Sequence, residues 1–161
     1  MYALLTDGST VEIRPARSQD ADAVRAMHAA MSLGNVYLRF FSTNPRAAGQ
    51  EAKRVCREPD SDHAALLAWQ GDRLVGVASY EPAGEPGVAE MAFAVPDDMH
   101  GRGIASLLLE HLVWQARQHE LRTFTAETLA ENSAMLRVFA HAGLPAKQRI
   151  SSGVVKLAFD L

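Results

Sequence analysis

The sequence predicts a single α/β (α+β) domain in which helices interrupt a mixed, mostly antiparallel sheet, and three observations predict it. Short apolar runs flank turn residues at hairpin spacing, as residues 2–5 and 11–14 do around Thr6-Asp7-Gly8-Ser9. Longer segments with a helical apolar period fall between such runs, the plainest being residues 103–119. The chain has 161 residues and is 48% hydrophobic, enough for one proper core and too short for two ordinary ones.

Each element has a local reason. Pro15 ends the second strand, and Ser18 or Asp20 is placed to cap a helix through Ala21, Val24, Met27, His28 and Met31, with Gly34 as its stop. Residues 36–41 are too apolar and aromatic for a free linker and should pack. Pro45 suits the first turn of a second helix that ends before Pro59 and buries Val55 and Cys56. After a polar connection, residues 64–69 and 74–80 read as strands joined through Gly71-Asp72. Residues 81–87, with Pro82, Gly84, Pro86 and Gly87, form a flexible turn before a strand of small residues at 88–95. In the long helix, Ile104, Leu107, Leu108, His111, Leu112 and Gln115 trace one face. A short strand at 123–128 follows. Asn132 caps a last helix through Met135, Leu136, Phe139 and Ala140, stopped by Gly143 and Pro145. Ile150 and residues 154–159 close the chain as a hairpin around Ser152-Gly153.

The charge balance narrows the partners. Lys and Arg total 16 against 19 Asp and Glu, a formal charge of -3, so nothing argues for a nucleic-acid surface, and an anionic ligand must be held by a local device. Cys56, the single cysteine, excludes an internal disulfide framework and suits a reducing compartment, so the expected address is the cytoplasm. The N-terminus has no basic region before a long apolar core, and no stretch approaches the ~20 apolar residues of a membrane span. A non-secreted protein without a membrane partner is expected, either whole at residues 1–161 or as a domain cut from a longer polypeptide. The six histidines lack compact spacing with cysteine or carboxylate, so no metal is expected.

The informative string is Ala94-Val95-Pro96-Asp97-Asp98-Met99-His100-Gly101-Arg102-Gly103-Ile104-Ala105. A strand ends, two glycines let the backbone fold tightly, and a helix begins near Gly103. The unpaired amides of that first turn carry the positive end of the helix dipole, which suits a pyrophosphate. A dinucleotide fingerprint needs a third glycine inside an early βαβ unit, and a P-loop needs a lysine after the second glycine; neither pattern is met. A helix that merely starts on Gly-Arg-Gly is the bland alternative.

His100-Gly101-Arg102-Gly103-Ile104-Ala105 resembles the [Gln/Arg]-x-x-Gly-x-[Gly/Ala] signature of the GNAT N-acetyltransferases, with His100 in place of the usual Gln or Arg, and the element order follows that fold across nearly the whole chain. The resemblance implies a sheet splayed after the fourth core strand and acetyl-CoA as cosubstrate. Its pyrophosphate would lie on the loop amides of His100, Gly101, Arg102, Gly103, Ile104 and Ala105, and its pantetheine beside Phe93, Ala94 and Val95. The runs at residues 37–41, 88–95 and 129–136 are similar to the acetyltransferase domain of bacterial Pat-type protein lysine acetyltransferases. That likeness implies a protein lysine as acceptor, with an acyl-CoA synthetase as the suggested partner and a regulatory domain in cis as a further possibility.

Transfer to lysine needs an uncharged amine, and a lysine pKa near 10.4 calls for a base. Glu90 is the candidate: it interrupts an apolar strand, shares a face with Ala92 and Ala94, and matches the strand on which the Pat-type resemblance puts its general base. A solvent-facing or arginine-paired carboxylate is the alternative reading, and Glu81, Glu127 and Glu131 are weaker candidates. A backbone amide near residues 93–95 is expected to meet the oxyanion. The family's tyrosine general acid is replaced by Phe139, leaving the thiolate to solvent. Asn132 reads as a helix cap, with a contact toward pantetheine implied by the family. Arg102 either reaches the adenosine phosphates or stays solvated. A small-molecule amine acyltransferase and an acyl-CoA-binding module without transfer are the competing accounts.

Overall fold

The computed structural model describes residues 1–32, 34 and 46–161. Eight strands form one sheet in the order β1-β2-β3-β4-β5-β6-β8-β7. They are β1 (Tyr2–Leu4), β2 (Thr10–Pro15), β3 (Ala64–Gln70), β4 (Arg73–Pro82), β5 (Val88–Ala94), β6 (Thr123–Leu129), β7 (Ala146–Ser151) and β8 (Val154–Asp160). All neighbours pair antiparallel except β5 and β6, which run parallel. That pair needs a crossover, supplied by α3 (Ile104–Gln118).

Alternation along the strands sorts the core into two layers. Ala64, Leu66 and Ala68 of β3, and Ala89, Met91 and Phe93 of β5, join the cluster that includes Leu108 and Leu112 of α3 and Phe139 of α4 (Ser133–Ala140). On the opposite face, Ala65, Leu67 and Ala94 pack with Val24 and Met27 of α1 (Ala21–Ala29) and with Ala52 and Val55 of α2 (Arg46–Val55).

Four expectations shift. Helix α1 ends at Ala29, short of Gly34, and no side chain caps its start. The Asp20 carboxylate instead accepts two bonds from the Arg14 guanidinium at 2.8 and 2.9 Å and one from the Arg17 amide at 2.8 Å. Those bonds, Arg14's first, hold its carboxyl below the usual carboxylate range. On α3 the buried stripe is Ile104, Leu108, Leu109, Leu112, Val113 and Ala116, rotated from the expected face. His111 lies at its half-buried margin, where its Nδ1–H donates to the Leu107 carbonyl at 2.9 Å. Finally, β4 runs on through Glu81 and Pro82, because both pair with β5. The packing expected of residues 36–41, and Pro45 itself, lie outside the described residues.

Candidate active site

The site begins where the sheet parts. Strand β5 stays paired with β4 as far as Val77↔Ala94, but its pairing with β6 stops at Glu90↔Thr125. Beyond that level β6 pairs only with β8. The gap opens into a groove of about 1100 Å³ walled by residues 90–95, by Thr128 and α4, and by the start of α3.

The string after β5 builds one end of this groove. Asp97–Met99 makes a 3-10 turn anchored by buried Met99, and Gly101 and Gly103 then take φ of +76° and +87°. Side chains rarely adopt those angles, which is why glycine stands at both positions. The His100 Nε2–H donates to the Val95 carbonyl at 2.9 Å, tying the loop to the strand it leaves. The Thr6 amide donates to the Arg102 carbonyl at 3.1 Å, and the Arg102 guanidinium pairs with Asp7 at 2.5 Å. Arg102 therefore gives the loop its backbone, while its side chain does not line the groove.

The first-turn amides of α3 have no intrahelical acceptors, and Gly103, Ile104 and Ala105 line the groove. A Cβ built on Gly101 would meet nothing within 4 Å, so the approach to the loop is open. Acidic side chains are turned away: Asp98 takes Arg73 at 2.6 and 2.8 Å, and Asp97 accepts from the Ser32 amide at 3.2 Å. Open space, unspent amides and no intruding carboxylate fit a pyrophosphate. Across the groove the Asn132 Oδ1 accepts the Met135 amide at 3.2 Å as a helix cap, and the residue also lines the wall. Phe93, Ala94 and Val95 line the strand side.

Glu90 lies at the last paired level before the gap, on the α1/α2 face with Ala92 and Ala94. It is exposed, lines the groove and forms no ion pair among the described residues. The other carboxylates differ from it. Glu81, directly opposite on β4, takes Arg57 at 2.6 Å, lies 2.8 Å from the Nδ1 of fully buried His63 and has Arg54 at 3.9 Å. Glu127 of β6 also lines the groove, but Lys156 of β8 sits 3.5 Å from it. Glu131 lines the groove from the turn before α4.

Several groove residues escape the sequence reading. Buried Glu51 and its partner Arg54, one helical turn apart on α2, line the groove beside Glu90. An i,i+3 charge pair just before an apolar helix end is the only sequence trace of them. Gly76 in β4, behind the groove, also escapes the sequence reading: a Cβ there would stand 2.6 Å from Ile104 Cγ2 and 3.0 Å from Leu108 Cδ1, so this glycine lets the start of α3 press onto the sheet. A lone glycine inside an apolar strand signals such an approach. Phe139 fills the position of the family tyrosine and packs on Phe93 and Phe159, with ring centroids 6.1 and 5.4 Å away. Among the described residues no three His, Cys, Asp or Glu gather as a metal site, and no helix is long and apolar enough to cross a membrane.

A parted parallel strand pair with a glycine-built anion cradle is the architecture of an acetyl-CoA-dependent acyltransferase, and the chain belongs to the acetyltransferase (GNAT) family, whose model matches residues 28–144. It is closely related to bacterial Pat-type acetyltransferases. The structure superposes on the GNAT domain of S. lividans PAT with a TM-score of 0.90 and 36% identity, covering 100% of this chain and 96% of that one. An acetyltransferase of Pseudomonas aeruginosa is 29% identical over 135 residues, 81% of this chain and 73% of its own length. The acetyltransferase Pat of Mycolicibacterium smegmatis is 39% identical over 56 residues, which are 35% of this chain and 17% of that protein. The protein is thus an acetyltransferase, and the fold brings acetyl-CoA as its cosubstrate.

Proposed function

We propose that the protein transfers acetyl from acetyl-CoA directly to the ε-amine of a lysine on a protein, with an acyl-CoA synthetase as substrate and Glu90 as general base. One observation carries the assignment of the base: Glu90 is the groove carboxylate on β5 itself, at the point of splay, and among the described residues no cation pairs with it. The open, carboxylate-bearing surface around it suits a cationic side chain presented on a protein, and the relation to Pat-type enzymes supports that acceptor class.

The chemistry follows from the two walls. The pyrophosphate rests on the amides of residues 101–105, and the pantetheine runs beside residues 93–95 toward the gap. A lysine enters from the α1/α2 face, where the small side chains of Ala92 and Ala94 leave room. Glu90 takes the ammonium proton, directly or through a water, and the nitrogen lone pair forms the new bond to the acetyl carbonyl carbon. Alternate β5 amides beyond Glu90 face away from β4 and lack a β6 partner, so they are placed to meet the developing oxyanion. The C–S bond breaks and the thiolate leaves. Its pKa near 8.5 makes it a tolerable leaving group, and solvent protonates it where Phe139 offers no acid. Cys56 takes no covalent part: it lies in the α1/α2 core, and burial pushes its thiol up to about 11.

The test follows CoA release with a purified acyl-CoA synthetase as acceptor and locates the acetyl group by mass spectrometry. Glu90→Gln is expected to lower kcat by roughly 10²- to 10⁴-fold while acetyl-CoA still binds. Undiminished activity in the variant would sink the base assignment. Transfer to small amines but to no protein would replace the acceptor class.

A further inference from the structure

Coenzyme A carries a third phosphate, on the adenosine 3′-hydroxyl, that the amide cradle does not account for. A phosphomonoester dianion at the edge of a groove calls for a cation with N–H donors to spare. Among the described residues, four basic side chains line the groove: Arg54, His100, Arg137 and His141. Arg54 is held by Glu51 and Glu81 on the acceptor side, and the Nε2 of His100 is spent on the Val95 carbonyl. Arg102 and Arg73 are also engaged, the first by Asp7 and the second by Asp98 of the cradle loop. Arg137 and His141 form no ion pair among the described residues.

Their placement suits the nucleotide rather than the acceptor. Helices α3 and α4 pack on the same face of the sheet, whereas Glu90 points to the other. On α4 the core takes Phe139, with Met135 and Leu136 packed beside it. Ala134, Arg137, Val138 and His141, spaced i, i+3, i+4 and i+7, line the groove. Pantetheine must run from the cradle toward the gap, so the adenosine leaves the pyrophosphate on the α3/α4 face, along this stripe. The His141 Nδ1–H donates to the Arg137 carbonyl at 2.8 Å, which fixes the ring and leaves Nε2 as the nitrogen available to a ligand.

We infer that Arg137, assisted by His141, binds the 3′-phosphate of the coenzyme and lets the protein discriminate coenzyme A from its 3′-dephospho form. The inference rests on the acetyl-CoA reading of the groove and is independent of which amine accepts the acetyl group. The alternative role for Arg137 in the last turn of α4 is to complement the helix dipole, and the experiment separates the two. Calorimetric titration of the wild-type protein with CoA and with 3′-dephospho-CoA should show about tenfold tighter binding of CoA, the scale of one charge-assisted contact. Arg137→Ala should lose about that factor for CoA and nothing for 3′-dephospho-CoA, so the discrimination disappears. Arg137→Lys should restore part of it, and His141→Ala should remove a smaller part.

Equal weakening of both nucleotides by Arg137→Ala, discrimination that survives it, or a lower melting temperature with unchanged binding would each overturn the subsite. A wild-type protein that binds neither nucleotide would overturn it together with the cradle. Loss of acetyl transfer to proteins with nucleotide discrimination intact would leave the subsite standing and remove only the proposed acceptor.

Discussion

The two faces of the sheet meet the same groove with different materials. On the α3/α4 face the cradle proposed for the pyrophosphate is made of backbone: two glycines at positive φ, the first-turn amides of α3 and a loop pinned by Thr6, Val95 and Asp7. On the α1/α2 face the wall carries the charged side chains Glu51, Arg54 and Glu90, with Glu81 and Arg57 paired behind them. A cosubstrate that never changes can be met by fixed dipoles, which cost nothing to reorganise. The amine acceptor proposed for the other face would be met by side chains, which can move and titrate.

The contrast breaks most visibly at Gly76. Its missing Cβ is what lets Ile104 seat the start of α3, so Gly76→Ala forces the cradle helix off the sheet. Overpacking of this kind costs about 1–3 kcal/mol, which in a chain of this size lowers Tm by roughly 2–4 °C per kcal/mol. Acetyl-CoA affinity should fall along with stability, as a thermal melt and a titration would show together. Wild-type affinity in a variant of reduced Tm would mean that the cradle does not depend on the seating of α3.

A substitution within the loop tests the backbone claim more narrowly. At φ +87°, Gly103→Val places a β-branched residue where even Ala is strained, and its Cβ also meets Thr6 Cγ2 at 3.4 Å. The conformational cost of about 1–2 kcal/mol corresponds to a five- to thirtyfold weaker Kd for acetyl-CoA. Gly101→Ala, at φ +76° with open space around it, should pay only the conformational part. If Gly103→Val bound acetyl-CoA as tightly as the wild type, the amides of this turn would not be the anchor.

Legibility in the sequence divides along the same line. The cradle is contiguous from Val95 to Ala105, so its glycines and its following helix, like the Asn132 cap, could be read from local rules, as could the strands apart from residues 146–149 of β7. The acceptor wall could not. Glu51 and Arg54 come from α2, His63 from the start of β3, Glu81 from β4 and Glu90 from β5, and only the register Glu81↔Glu90 and the packing of α2 bring them together. Glu81 looked like a turn residue because Pro82 follows it, and strand pairing decided otherwise. Arg102 was open between two roles because its partner, Asp7, is 95 residues away. The Asp20 side chain was spent on Arg14 rather than on the cap because a bidentate ion pair outweighs one backbone amide.

The smallest expected effect sharpens the comparison from the other side. Arg54 is the half-exposed cation of the acceptor wall, bound to Glu51 and within 3.9 Å of Glu81. Arg54→Met keeps much of the apolar stem and removes the charge, and because the Glu51 carboxylate it pairs with is buried, folding stability should drop by an amount that a thermal melt reads beside the kinetics. The wall then becomes more negative close to Glu90. A lysine-bearing acceptor should bind two- to threefold better by KM, whereas the KM for acetyl-CoA, set by groups on the opposite face, should not move. Because the gain is electrostatic and near the surface, it should shrink as salt shortens the screening length. A change in both KM values would show that the two faces are coupled through the groove. A gain that survives high salt would point to steric clearance by Met in place of charge.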